Sequence, residues 1–192
     1  TPVKGKLLKR IQDACQTVDD DVRWLVALIS DTGMRLGEAA GLLVNDIDLT
    51  HPIPHVTIRP HSHRTLKTTS SHRVIPLCGS ALWAAKRIVE SSASHFCFPR
   101  YNTTESTNAN SASATCNKWL KAITKQQVVI HGLRHGMRDR LRDVDSPTEL
   151  IDQIGGWSLQ SIGQNYGNGF NLDTLSKWLN KACTYHSTFQ QA

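Results

Sequence analysis

Two arginines, a lysine, a histidine, an indole and a tyrosine, namely Arg35, Arg134, Lys67, His131, Trp157 and Tyr166, form a set that could act on a phosphodiester. Guanidinium forks bind non-bridging phosphate oxygens in pairs and stabilise the charge that builds on them during attack. A well-placed tyrosine hydroxyl can be the covalent nucleophile. Its free pKa of about 10 leaves it protonated at neutral pH, so it needs a base or a strong positive potential beside it. An alkoxide leaves poorly, and a lysine can act as the general acid that helps it go. No Asp/Glu cluster of metal-binding type accompanies these groups, so the phosphate charge falls to protein cations and no cofactor is expected.

The densest part of this set lies between residues 131 and 166. His131 and Arg134 are three apart and share a face if they start a helix. Arg138, Arg140 and Arg142 give that helix a basic flank. Ser146-Pro147-Thr148-Glu149 reads as a helix start, with Ser146 as cap and Glu149 in the capping-box position. Leu150, Ile151 and Ile154 supply its apolar face, and Gly155-Gly156 stop it. A third short helical run with Ile162 leads to Tyr166, which has Gly163, Gly167 and Gly169 around it.

The remaining elements must carry the other groups to this region. Apolar residues at 7, 8, 11, 14, 15 and 18 describe an amphipathic helix, and Asp19-Asp20-Asp21 opens a second that ends near Gly33. Arg35 then sits at a helix-to-helix turn, where Glu38 can reach back to the backbone or to a neighbouring cation. Residues 47–77 turn extended, with β-rich runs at 56–59 and 73–77 and Lys67 near the tip of the hairpin between them. A helix at 81–89 is capped by Ser80. The Ser/Thr/Asn-rich run 101–115 reads as an exposed loop feeding a helix near 116–123. A last amphipathic helix covers 172–182, with Leu175, Trp178 and Leu179 on one face, and 186–192 reads as tail. The fold class is therefore α/β, mostly α with a small antiparallel β-sheet, in one catalytic domain over 1–185.

Composition narrows the classes. A 192-residue chain with 39% hydrophobic residues can bury one core. It has no run of eighteen apolar residues and no leader pattern, so the expectation is a cytoplasmic protein without a membrane partner. Five scattered cysteines without a C-x-x-C pair argue for thiols rather than a disulfide framework or structural zinc. A net charge of +6 is compatible with a polyanionic partner but does not identify one.

In order along the chain, the motifs resemble those of the tyrosine recombinases, in particular phage-type integrases. Thr32-Gly33-Met34-Arg35-Leu36-Gly37-Glu38 looks like the first-arginine motif. Leu66-Lys67-Thr68 followed by Arg73-Val74-Ile75-Pro76-Leu77 is similar to the hairpin lysine segment. His131-Gly132-Leu133-Arg134-His135 resembles the H-x-L-R-H box, and Gly156-Trp157 with Tyr166 resembles the closing motif. The resemblance implies the catalytic-domain fold of DNA breaking-rejoining enzymes, working on double-stranded DNA as a synaptic homo-tetramer, and as a monomer or dimer without DNA. It implies Tyr166 as nucleophile, Arg35 and Arg134 as phosphate clamp, His131 as proton acceptor and Lys67 as general acid, with Glu38 and His135 in support. Trp157 stands where many members have histidine. An indole donates one hydrogen bond but cannot exchange a proton usefully, which points to positioning. The family's N-terminal core-binding and arm-binding domains have no counterpart in this stretch. A fragment of that kind is expected to bind DNA weakly and with steep salt dependence.

The same residues admit rival readings. His72 and Arg73 could touch the DNA backbone. His51, His55, His61 and His63 could ligate a metal, and the chain would then be a metal-dependent phosphodiesterase. A DNA-binding domain that has lost its chemistry would carry much of the same pattern, and so would a type IB topoisomerase. Any one of the arginines, taken singly, is more often a surface or capping residue.

Overall fold

The computed structural model describes residues 1–68, 71–157 and 169–188, the last three by backbone alone. Helix α1 (Gly5–Val18) lays Leu8, Ile11 and Cys15 onto the core. Helix α2 (Asp21–Thr32) starts where Asp20 accepts a hydrogen bond from the Arg23 N–H. From Leu25 to Thr32 every residue of α2 is buried, because α1, α4, α5 and α6 all pack around it. A helix surrounded in this way buries residues on every side, and its buried Ser30, Asp31 and Thr32 are hydrogen-bonded inside the fold. The short α3 (Leu36–Ala40) follows, and then the sheet: β1 (Ile47–Asp48), β2 (His55–Ile58) and β3 (Arg73–Pro76), antiparallel in that order. Val56 faces Ile75 in register and His55 faces Pro76.

Helix α4 (Gly79–Ser91) is capped from a distance. The carboxylate of Asp31, on α2, accepts the Ser80 N–H at 2.8 Å, and no side chain of the local sequence does so. Ser80 is thus the capped residue and not the cap. Helix α5 (Ala109–Thr124) begins inside the polar run expected to be loop. Asn108 accepts from Ser111 N, and Ala112, Cys116 and Leu120, spaced by four, form its buried stripe. Helix α6 (Ile130–Asp143) crosses α2, and α7 (Thr148–Gly155) follows after a four-residue turn. Pro147, not Ser146, is the N-cap of α7, and the Ser146 hydroxyl is buried without a hydrogen-bond partner among the described residues. Gly156 closes α7 in the left-handed region, at φ 63°, its N–H on the Asp152 carbonyl.

The last helix, α8 (Leu172–Thr188), runs six residues past its expected end and through the start of the supposed tail. It packs on α6, β3 and α4 through Leu175, Leu179 and Ala182. The basic flank of α6 also needs correcting. Arg140 is 1% exposed, pointing into the core to meet Asp31. Among the described residues no helix is long and apolar enough to cross a membrane.

Candidate active site

Three chain segments far apart in sequence meet at the C-terminal ends of α2 and α7 and the start of α6. Gly33 ends α2 in the left-handed conformation and turns the chain so that Arg35 leads α3. The Arg35 guanidinium then bonds in three directions: Glu38 Oε1 at 2.8 Å, Ser71 Oγ at 3.2 Å and the Gly156 carbonyl at 2.8 Å. The Arg35 N–H also donates to Glu38 Oε2 at 2.9 Å. Glu38 therefore does both things its position allowed, holding the backbone and a cation.

Glu38 is shared with a second arginine. Arg73 Nη2 donates to Glu38 Oε2 at 2.8 Å and its Nη1 to Oε1 at 3.1 Å, a two-pronged pair with both side chains buried. Arg73 Nη1 also reaches the Ser71 carbonyl at 2.7 Å, and Nε the Ile154 carbonyl at 2.8 Å. The candidate DNA contact at Arg73 is thus an internal strut joining α3, the hairpin and the end of α7. Its strand placed it on the same face as Ile75, and that alternation was the available signal of burial. Burial alone would raise the Glu38 pKa, but the bonds from Arg73 and Arg35 outweigh it and hold the carboxyl below its usual range. His72, one residue earlier, is exposed and free to face a ligand surface.

Arg134 enters from the first turns of α6. It is 3% exposed, and its Nη1 donates to the Gly33 carbonyl. Its guanidinium carbon lies 4.3 Å from the centroid of the Trp157 ring, and that of Arg138, one turn on, lies 4.7 Å from the same ring. Trp157 can pack here because Gly155 has no side chain: a Cβ there would stand 1.7 Å from indole Cζ3. Burial first, and then the charge of Arg35, bring the Arg134 pKa down to about 9. The two guanidiniums are therefore electrostatic neighbours, and among the described residues Arg134 bonds no carboxylate directly, the charge of Glu38 only partly offsetting that of Arg35. Two cations held together in this way favour an anion between them.

His131 and His135 lie on the exposed side of α6, rings edge to face with centroids 4.4 Å apart. Partial burial and then the charges of His135, Arg134 and Arg35 lower the His131 pKa, so its imidazole is neutral at pH 7 and able to accept a proton. Lys67 is exposed, in a bend that is anchored to the site. Its neighbour Thr68 has its hydroxyl 3.0 Å from that of Ser71, which touches Arg35. Tyr166 lies outside the described residues. Arg35, Glu38, His131, Arg134, His135 and Trp157 are brought together, with Lys67 tethered beside them.

Sequence reasoning missed Ser71, Arg138 and the Gly33 and Gly156 carbonyls as parts of this site. The carbonyls have no sequence signal. Arg138 could have been found from its i,i+4 spacing to Arg134. The hairpin histidines serve another purpose. His61 Nε2 lies 2.7 Å from Asp46 Oδ2 while Arg59 Nε donates to Oδ1 of the same carboxylate, and His63 stacks on His61 with its Nε2 2.9 Å from the Gly41 carbonyl. These contacts brace the hairpin against α3. Among the described residues no three His, Cys, Asp or Glu side chains gather as a metal site.

A helical body with a small three-stranded antiparallel sheet is the catalytic-domain fold of the tyrosine recombinases. The family model described as "Phage integrase family" matches residues 3–171, and the chain belongs to that family. The Tn1549 transposon integrase (residues 82–397), solved with circular intermediate DNA, is similar over 91% of this chain and 62% of its own, with TM-score 0.64 and 18% identity. XerA recombinase matches 92% of this chain and 62% of its own, with TM-score 0.63 and 18% identity. XerH recombinase, in a post-cleavage complex with a palindromic difH substrate, matches 100% and 54%, with TM-score 0.61 and 15% identity. The chain thus spans about three-fifths of the first two solved chains. No curated protein sequence matches it significantly.

Proposed function

We propose that this domain breaks and rejoins duplex DNA at specific sites through a covalent 3′-phosphotyrosine, as the catalytic part of an integrase of a phage or other mobile element. The observation that carries the proposal is the placement of Arg134 beside Arg35, buried, stacked on Trp157 and without an acid of its own among the described residues. A scissile phosphate supplies the missing negative charge. Arg35 and Arg134 hold its non-bridging oxygens, and their attraction grows as charge accumulates there in the transition state.

Tyr166 Oη attacks phosphorus and gives its proton to the neutral His131. Lys67 gives a proton to the departing 5′-oxygen, leaving a 5′-hydroxyl strand and the phosphotyrosyl link. Trp157 holds Arg134 and Arg138 in place and exchanges no proton. The phosphotyrosyl bond keeps the energy of the bond it replaces, so rejoining requires neither ATP nor a metal ion. Recombination needs two duplexes cut together, which a synaptic tetramer of such domains provides in the bacterial cytoplasm.

A nicked suicide substrate tests this reading, because the small fragment beyond the nick diffuses away and traps the adduct. Wild type should accumulate a covalent protein–DNA species in excess chelator, and Tyr166→Phe should bind the same DNA and form none. An undiminished adduct in Tyr166→Phe would overturn the assignment, and loss of the wild-type adduct in chelator would overturn the metal-free chemistry.

A further inference from the structure

Far from the arginines, the junction between β3 and α4 carries Cys78, and α8 carries Cys183. Their sulfurs stand 2.7 Å apart, across a sequence separation of 105. Both are free thiols, and a disulfide bond of about 2.05 Å requires them to close by only about 0.7 Å. Cys183 also lines a cavity of about 340 Å³ between α1, α4 and α8, beside Gly79, Asp31 and Arg140. One residue of the pair thus stands in the wall of that cavity. Cys15, Cys97 and Cys116 are buried and do not line that cavity.

We propose that Cys78 and Cys183 form a reversible oxidative staple that pins α8 to the body of the domain. The oxidant is a small-molecule disulfide entering through the cavity. The contact with Cys78 and burial hold the Cys183 pKa well above the ordinary thiol range, so the reacting species is a small thiolate fraction that grows as pH rises. That thiolate, its proton lost to solvent, attacks the reagent, forming a mixed disulfide and expelling one thiolate. Cys78, likewise deprotonated, then attacks the Cys183 sulfur and expels the second. Two protein thiols become one disulfide, and the two electrons they lose reduce the reagent to two thiols. The bond ties α8 to the residue that precedes α4. In the reduced state only non-covalent packing holds α8 there, mainly through Leu175, Leu179 and Ala182.

The test uses the native chain incubated with oxidised glutathione, then alkylated and weighed intact. We expect a loss of two hydrogens, alkylation of three thiols rather than five after unfolding, and a Cys78–Cys183 cross-linked peptide. Closing so long a loop should raise the melting temperature by on the order of 5–10 °C, reversed by dithiothreitol. Amide exchange in α8 should slow on oxidation. Cys183→Ser should keep the reduced protein's melting temperature and lose the response to oxidant. Five alkylatable thiols, a persistent glutathione adduct on Cys183, or a different cysteine pair would each overturn the staple. None of these readouts depends on DNA cleavage, so the staple and the recombinase reading stand or fall separately.

Discussion

Helix α6 buries two arginines six residues apart, and they have opposite surroundings. Arg140 is 1% exposed and Arg134 is 3% exposed. Arg140 donates from Nη1 to Asp31 Oδ1 at 2.8 Å and from Nη2 to the Ser30 carbonyl, so its charge is answered inside the core. Asp31 uses its other oxygen to cap α4, so the pair fastens α2, α4 and α6 at one point. Arg134 meets a carbonyl, an aromatic face and a second cation. Burying a charge costs several kcal/mol unless a counter-charge compensates it. At Arg140 the fold itself supplies that counter-charge. At Arg134 the acid that acts on it, Glu38, is bonded instead to Arg35 and Arg73, and under the proposed function a phosphate supplies the direct partner.

The largest expected effect comes from breaking the answered pair. Arg140→Ala leaves Asp31 buried without its cation and should cost about 3–5 kcal/mol of folding stability. Chemical denaturation should show it as a lowered midpoint at unchanged slope. Replacing both partners, Arg140→Met with Asp31→Asn, should recover part of the loss, because the amide leaves no naked charge and the pair's attraction is no longer needed. If the double variant is less stable than Arg140→Ala, the pair is not the anchor described.

Arg134→Ala should do the reverse. Removing a cation that repels Arg35 should leave stability within about 1 kcal/mol of wild type, whereas the rate of adduct formation on the suicide substrate should fall on the order of 10²–10³-fold. Arg35→Ala should lose a similar rate but also some stability, since Arg35 bonds Glu38, Ser71 and Gly156. An Arg134→Ala protein that unfolds as readily as Arg140→Ala would erase the distinction between the two arginines.

An added oxyanion sharpens the comparison without any DNA. Sulfate at ten times its dissociation constant should stabilise the native protein by about 1.4 kcal/mol, or roughly 3–5 °C in melting temperature. Arg134→Ala should lose that increment. A destabilised but site-intact protein, such as the Arg140→Met/Asp31→Asn variant, should keep it. The same sulfate shift in Arg134→Ala as in wild type would place the anion elsewhere.

Sequence alone could not separate these two arginines. The spacing from His131 to Arg134 is local, and so was visible as one helix face. Arg140 lies on the same helix in the same basic run, and its partner Asp31 is 109 positions away. Only the crossing of α6 over α2 reveals which charge is answered. The expected DNA contact at Arg73 failed for a similar reason: its alternation with Ile75 on β3 pointed inward, but its partner Glu38 lies 35 positions away on α3. Local signals did well where the cause was local, as at the acidic start of α2, the Gly155-Gly156 stop and the Arg35 turn. They failed at α5, where a Ser/Asn-rich composition outweighed an Ala112-Cys116-Leu120 stripe. They failed again at α4, whose cap comes from another helix.

Trp157 gives the smallest predicted effect and the finest discrimination. The indole can support Arg134 in two ways, through its π face or through an N–H donated to the phosphate. Phenylalanine keeps a ring of the right kind, with a weaker negative face and no N–H. With the guanidinium carbons of Arg134 and Arg138 at 4.3 and 4.7 Å from the ring centroid, the face is the contact in place before any ligand arrives. Trp157→Phe should therefore lose about 0.5–1 kcal/mol of transition-state stabilisation, roughly two- to fivefold in rate. Trp157→Ala removes the platform and should lose at least tenfold, because among the described residues the guanidinium of Arg134 then has only the Gly33 carbonyl to orient it. Gly155→Ala should resemble Trp157→Ala rather than wild type, since the added methyl occupies the space of the indole. If Trp157→Phe falls as far as Trp157→Ala, the N–H carries the function, and Arg134 would be held by something other than the ring beneath it.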